Sequence, residues 1–87
     1  MNTVAQRMSQ HLQQCLQPTH LEVLDESAAH AGHMGANEAG MGTHMRVRIA
    51  SPRFTGLSRV ARHRLVYDAL QEFMAQGVHA LAIETLD

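Results

Sequence analysis

The sequence predicts an α+β domain with the order α-β-β-α-β, in which both helices cover one face of a three-stranded mixed sheet. Two segments, 4–16 and 59–76, carry apolar residues at the spacing of an amphipathic helix. Two others, 20–27 and 43–50, alternate apolar and polar residues as strands do, and 78–85 is assigned as the third strand. Because a chain of 87 residues can bury only one small core, both helices are expected on the same face of the sheet.

The first helix is predicted from an apolar stripe of residues four positions apart, namely Val4, Met8, Leu12 and Leu16. Thr3 and Gln6 have the spacing of a capping box, and Pro18 is expected to end the helix. Cys15 is expected on the buried stripe, where a thiol is usually inert.

The first two strands predict the polarity of the sheet. Leu21 and Val23 point to one face of the first strand, and in the second strand apolar residues face the core while Arg46 and Arg48 face outward. Two adjacent strands joined by a loop favour an antiparallel pair. The second and third strands are separated by a helix, so they are expected to be parallel neighbours.

The second helix is predicted to begin after Ser58, which can cap it, and to end before Gly77. Its apolar arc holds Val66, Ala69, Leu70, Phe73 and Met74. His63 falls on the same arc, which favours a packed histidine over a ligand.

Charge is unevenly distributed in a chain with a net charge of −1. Six of the seven basic residues form an acid-free segment, comprising Arg46, Arg48, Arg53, Arg59, Arg62 and Arg64. Such a segment can face an acidic protein, a phosphate or nucleic acid, or it can consist simply of solvated arginines.

No apolar run is long enough for a membrane span, and no signal peptide is recognised. A single cysteine excludes an internal disulfide, so a cytoplasmic protein is expected.

A glycine- and histidine-rich run, "HAGHMGANEAGMGTH", separates the first two strands and predicts a flexible loop over about 28–43. His30 and His33 have half of a zinc-site spacing, but no second ligand pair follows, and solvated loop histidines are an alternative. His79 opens the third strand near the place where His30 follows the first. Two imidazoles there could bind one metal from one side and leave its other positions to a partner.

No nucleophile with a nearby base stands out, so no enzyme is predicted.

Several stretches, in this order, resemble one family: "LEVLDES", "THMRVRIAS", "RFTG", "RHRLVYDAL" and "VHALAI". They are similar to the BolA family over about residues 12–84, and the combination of F-x-G, R-H-R-x-V-Y and V-H-A-L is specific to it. The resemblance implies a fold related to the class II KH domain, in agreement with the predicted order of elements.

The resemblance also implies a metal-binding role with a partner, a monothiol glutaredoxin. The two proteins would form a heterodimer that shares a [2Fe–2S] cluster, with one thiolate from the glutaredoxin and another from glutathione. The BolA-like chain would supply His79 and His30, with His33 and His63 as alternative ligands. A pair of histidine ligands on one iron should raise the reduction potential. No cluster is expected in the isolated protein, which is predicted to be a monomer or a weak dimer.

The resemblance implies two functions. The first is a non-enzymatic adaptor in iron–sulfur cluster trafficking and iron homeostasis. The alternative is a DNA-binding transcriptional regulator that uses the KH-like fold and the arginines, with Arg46, Arg48, Arg59, Arg62 and Arg64 as contacts to a partner or to nucleic acid. Against this alternative, the G-x-x-G loop with which KH domains clamp the nucleic-acid backbone is not recognised, and the chain has few aromatic residues for base stacking. Free metal storage by the histidine-rich loop is a third reading, supported by composition alone.

Overall fold

The computed structural model describes residues 3–27 and 43–86. Their elements, in chain order, are α1 (Val4–Leu16), β1 (His20–Asp25), β2 (His44–Ala50), a 3-10 turn (Pro52–Phe54), α2 (Arg59–Ala69), α3 (Gln71–Ala75) and β3 (Ala80–Thr85). The strands form one sheet in the order β1-β2-β3. The predicted α+β class and the mixed three-stranded sheet are therefore confirmed.

The central strand β2 has one antiparallel and one parallel neighbour, as predicted. Against β1 the register pairs Val23 with Val47, and against β3 it pairs Val47 with Ile83. The end of β1 and the starts of β2 and β3 consequently lie at the same end of the sheet.

The core lies between the helices and the inner face of β2. Met45, Val47 and Ile49 are all buried, whereas the residues between them are half-buried on the outer face. The same cluster contains three residues of α1, namely Met8, Leu12 and Leu16. Complete burial of a side chain of this size contributes roughly 1.5–3 kcal/mol, so this layer supplies much of the stability of the small domain.

The helix caps agree with the predicted boundaries. The Gln6 N–H donates to Thr3 Oγ1 at 3.1 Å, and the Thr3 N–H donates to Gln6 Oε1 at 2.8 Å, which completes the capping box. In α2 the Ala61 N–H donates to Ser58 Oγ at 3.1 Å. Gly77 follows α3 at φ 129°, a conformation that strains any residue with a side chain.

Two details of the prediction were wrong. The single helix expected over 59–76 is divided at Leu70, whose N–H is shared between the carbonyls of Val66 and Tyr67 and so tightens one turn. Cys15, predicted to lie on the buried stripe of the first helix, is exposed. It lies one position before the buried Leu16, and the step of about 100° between adjacent helical residues turns it toward solvent.

The predicted flexible loop over about 28–43 lies outside the described residues, apart from Thr43. His30 and His33 lie outside them as well. Among the helices that the structure describes, none has the length and apolar character of a membrane span.

Candidate functional site

The two ends of the undescribed segment are joined by one buried hydroxyl. Ser27 Oγ accepts the Thr43 N–H at 2.8 Å and the His44 N–H at 3.1 Å. Ser27 is 0% exposed and Thr43 is 1% exposed. The Glu26 N–H donates to the His44 carbonyl at 2.8 Å, which extends the antiparallel pairing by one more bond. These bonds fix the root of the segment, although sixteen positions separate Ser27 from Thr43 in sequence.

The backbone of His79 is attached to the same root. The His79 N–H donates to the Thr43 carbonyl at 2.7 Å, and the Ala80 N–H donates to that carbonyl at 3.1 Å. His79 does not open β3 as predicted but stands immediately before it, since its N–H and that of Ala80 share the Thr43 carbonyl, and it is exposed. The structure therefore holds the backbone of His79 in place while leaving its imidazole accessible.

His44 begins β2, as expected, and the register sets it beside Ala80, the neighbour of His79. Its Nδ1 lies 3.1 Å from Thr43 Oγ1.

Within residues 3–27 and 43–86, no three histidine, cysteine or acidic side chains are grouped closely enough to hold a metal ion. Donor atoms from outside these residues would be needed to complete a metal site around His79.

His63, predicted as an alternative ligand, lies elsewhere. It is half-buried on α2 and lines a shallow groove of about 250 Å³ together with Arg59 and the last residues of β3, 83–85. A strand rises by about 3.3 Å per residue, so the four steps from His79 to Ile83 span about 13 Å. The structure does not bring His63 and His79 together.

Arg46 and Arg48 lie on the outer face of the sheet, where acidic residues of the same chain pair with them. Arg46 contacts Glu26 at 3.0 Å and Glu84 at 3.1 Å. Arg48 contacts Glu22 at 3.3 Å and Glu84 at 3.7 Å. These contacts reduce the net positive charge that the two arginines present to a partner.

The same network shifts two pKa values. The pKa of Glu22 is lowered, chiefly by a hydrogen bond from His20 at 2.8 Å and further by the nearby Arg48, against an opposing effect of partial desolvation. The pKa of Arg46 is raised by its hydrogen bonds to Glu26 and Glu84. Both shifts favour the charged forms of Glu22 and Arg46.

The other predicted arginines lie on α2. Arg59 and Arg64 are exposed and form no ion pair with an acid among the described residues. Arg62 is half-buried, donates from Nε to the Leu57 carbonyl at 3.0 Å and lies over the Phe54 ring at 6.0 Å. It stabilises the turn before α2, whereas Arg59 and Arg64 project their charges into solvent.

Sequence reasoning missed Ser27 and Thr43 at the root of the segment and the acids that pair with the arginines. Glu22 and Glu84 do occupy outward positions of their strands, so alternation could have placed them opposite Arg48 once the register was known. Ser27 carried no comparable signal, because a lone serine after a strand is common in loops.

Comparison with known proteins agrees with this architecture. The family model described as "BolA-like protein" matches residues 12–87. This chain belongs to the BolA family. BolA-like protein 1 of Mus musculus is 49% identical over 73 residues, covering 84% of this chain and 50% of its own length. The DNA-binding transcriptional regulator BolA of Escherichia coli is 39% identical over 82 residues, 94% of this BolA-like chain and 73% of that protein.

A solved structure confirms the BolA fold. The BolA domain of SufE1 from Arabidopsis thaliana superposes with a TM-score of 0.83 at 41% identity, covering 98% of this chain and 92% of that domain. This BolA-like chain spans about half the length of several relatives that it matches, including the mouse protein and the chloroplastic BOLA1 of Arabidopsis.

Proposed function

We propose that this chain is a non-enzymatic adaptor that binds a monothiol glutaredoxin and supplies ligands to a shared, glutathione-dependent [2Fe–2S] cluster. The single observation that supports this most is the placement of His79, whose exposed imidazole stands on a backbone anchored to Thr43. The proposal places the protein in the cytoplasm and in iron–sulfur cluster trafficking and iron homeostasis.

The donor set of this chain suits half of a cluster site. His79 supplies one imidazole, and His30 follows Ser27 by three residues, a length of chain that spans at most about 11 Å. His33 is the alternative to His30. The only cysteine, Cys15, lies on α1 and not at the loop root, so the thiolates must come from the glutaredoxin and from glutathione.

The chain's own residues would act by orientation. The Ser27 hydroxyl fixes the root of the segment that carries His30, and the Thr43 carbonyl fixes the backbone of His79. Ligands held in this way lose less freedom when the partner arrives, which favours binding. When bound, the cluster would supply an iron whose histidine ligands give it a higher reduction potential than four thiolates would. The isolated protein is proposed to carry no cluster and to be a monomer or a weak dimer.

Visible circular dichroism tests this proposal. The protein is mixed with a monothiol glutaredoxin, glutathione and a cluster source, and the spectrum is compared with that of the glutaredoxin homodimer. We expect a distinct spectrum that His79→Ala abolishes or weakens and His30→Ala alters. His20→Ala is the matched control, because His20 lies at the other end of β1, paired with Glu22, and should leave the spectrum unchanged. A wild-type spectrum identical to that of the homodimer would refute cluster sharing.

DNA binding is the second candidate function. The observation that favours it is the exposure of Arg59 and Arg64 on α2, together with the name of the Escherichia coli relative. Binding through phosphates should weaken with a slope of about −0.9 in log K per log salt for each contact. Replacing both arginines with glutamine should reduce that slope by about two, whereas Arg46→Gln should change it less because its charge is paired. Loss of all binding near physiological salt would exclude a regulator that acts directly on DNA.

A further inference from the structure

β3 lies at one edge of the sheet. Its downstream end is the part of this edge that lies farther from His79. Because β2 is central, β3 has a hydrogen-bonded neighbour on one side only among the strands of residues 3–27 and 43–86. Unpaired backbone groups at a sheet edge are a template for another extended chain, and proteins commonly protect such edges. The exposed part of this edge therefore requires an explanation.

Hydrogen bonds at both ends of β3 show which backbone groups are open. The Ala80 N–H and the Leu86 N–H both donate to carbonyls of the β2 side, those of Thr43 and Ile49, at 3.1 and 2.7 Å. Since backbone orientation repeats every two residues along a strand, the odd-numbered positions 81, 83 and 85 direct their N–H and C=O groups away from β2.

One of these outward groups is already occupied. The Tyr67 hydroxyl of α2 donates to the Leu81 carbonyl at 3.2 Å, so α2 closes the edge at its upstream end. No corresponding contact covers the backbone of Ile83 or Thr85 within the described part of the chain. Four hydrogen-bonding groups, an N–H and a C=O on each residue, are left at the downstream end.

A groove runs beside these two residues. Its volume is about 250 Å³, and its wall on the α2 side consists of Arg59 and His63. Arg59 is exposed and forms no ion pair with a described acid. Glu84 also lines the groove, but its carboxylate is bound to Arg46 and Arg48 on the outer face. Among the residues that line the groove, Arg59 is thus the charged group with no acidic partner in the described part of the chain.

We propose that this groove, the α2–β3 groove, binds an extended acidic segment of a partner protein, which adds to β3 as a fourth strand. Its backbone pairs with Ile83 and Thr85, and an acidic side chain of the segment contacts Arg59. Strand addition of this kind draws affinity from main-chain bonds and specificity from the neighbouring side chains. The site lies about 13 Å or more along β3 from His79, toward the opposite end of the strand.

The test uses a seven-residue acetylated and amidated peptide in which valine alternates with glutamate, titrated into the 15N-labelled protein. We expect amide shifts concentrated at Arg59, His63 and the 83–85 backbone, with slower hydrogen exchange at Ile83 and Thr85. Arg59→Glu should weaken binding about fivefold, a change typical of an exposed charge contact. Arg53→Glu makes the same charge change at an exposed position that does not line the groove, and it should alter affinity less than twofold.

Control probes separate strand addition from other interactions. A peptide with N-methyl groups on alternate residues should bind more weakly, and a peptide with lysine in place of glutamate should not bind the groove. The proposal is overturned if the shifts map to β1 instead, or if the lysine peptide binds equally well. It is overturned as well if N-methylation has no effect, whether the N-methyl groups are on the valine or on the glutamate residues. It is also overturned if the acidic peptide leaves the spectrum unchanged, and shifts of the same residues with single-stranded oligothymidylate would then assign the groove to nucleic acid.

Discussion

Removing the Ser27 hydroxyl should destabilise the domain far more than a serine-to-alanine change usually does. In Ser27→Ala the Thr43 and His44 N–H groups lose their acceptor, at a site where Ser27 and Thr43 are almost completely buried. Each buried donor left unsatisfied costs about 1–3 kcal/mol, so two would cost about 2–6 kcal/mol. His44 is only half-buried, and water can replace part of its bond, which favours a loss of about 2–3 kcal/mol.

Urea unfolding followed by far-ultraviolet circular dichroism measures this loss. A domain of this size loses about 4–8 °C of Tm for each kcal/mol, so a parallel thermal scan should show a decrease of about 10–20 °C. Ser9→Ala is the matched control, because Ser9 lies within α1 and its side chain makes no hydrogen bond among the described residues. There alanine should be neutral or slightly stabilising through its helix propensity. A loss below about 0.5 kcal/mol in Ser27→Ala, with an unchanged m value, would refute the assignment of Ser27 as the acceptor at the loop root.

Three further predictions concern the outer face, α1 and the core. The pKa of Glu22 is lower in the folded protein, so the ionised Glu22 carboxylate stabilises the fold above its unfolded pKa, and this effect is lost as pH falls through its folded pKa. Glu22→Gln should therefore flatten the fall in stability that urea unfolding measures between about pH 5 and pH 3. Cys15 should react with a chromogenic thiol reagent in the native protein at nearly the rate seen in denaturant, and strong native protection would contradict its exposure. Leu12→Ala should cost about 2–5 kcal/mol in the same unfolding assay, since Leu12 is 0% exposed, and a loss under 1 kcal/mol would show that it is not a core residue.

The local part of the fold follows from the sequence because the signals that determine it are themselves local. The alternation of Met45, Val47 and Ile49 with arginines predicted both the strand and its buried face, and Thr3 and Ser58 marked the starts of two helices. The identity of the family was also carried by short stretches of sequence, and the match over residues 12–87 confirmed it.

The helix division and the position of Cys15 were predicted incorrectly for a related reason. Residues 59–76 have a continuous helical pattern, but packing of Leu70 and Phe73 into the core accompanies a tightened turn that periodicity does not encode. Cys15 differs from Leu16 by one step around α1, and the apolar pattern does not specify the orientation of a helix to within one such step.

By itself the sequence determined the order of the elements, the single small core, the family and the residue types available as ligands, because periodicity, capping and motifs act over a few positions. Only the tertiary structure decided which distant groups meet. It joined Ser27 to Thr43 across the undescribed segment and attached the backbone of His79 to the same root. It also paired Arg46 with Glu84, 38 positions away, and placed β3 at an edge of the sheet that no other described strand covers. These contacts depend on strand register and sheet order, which arise when separate elements bury a common core.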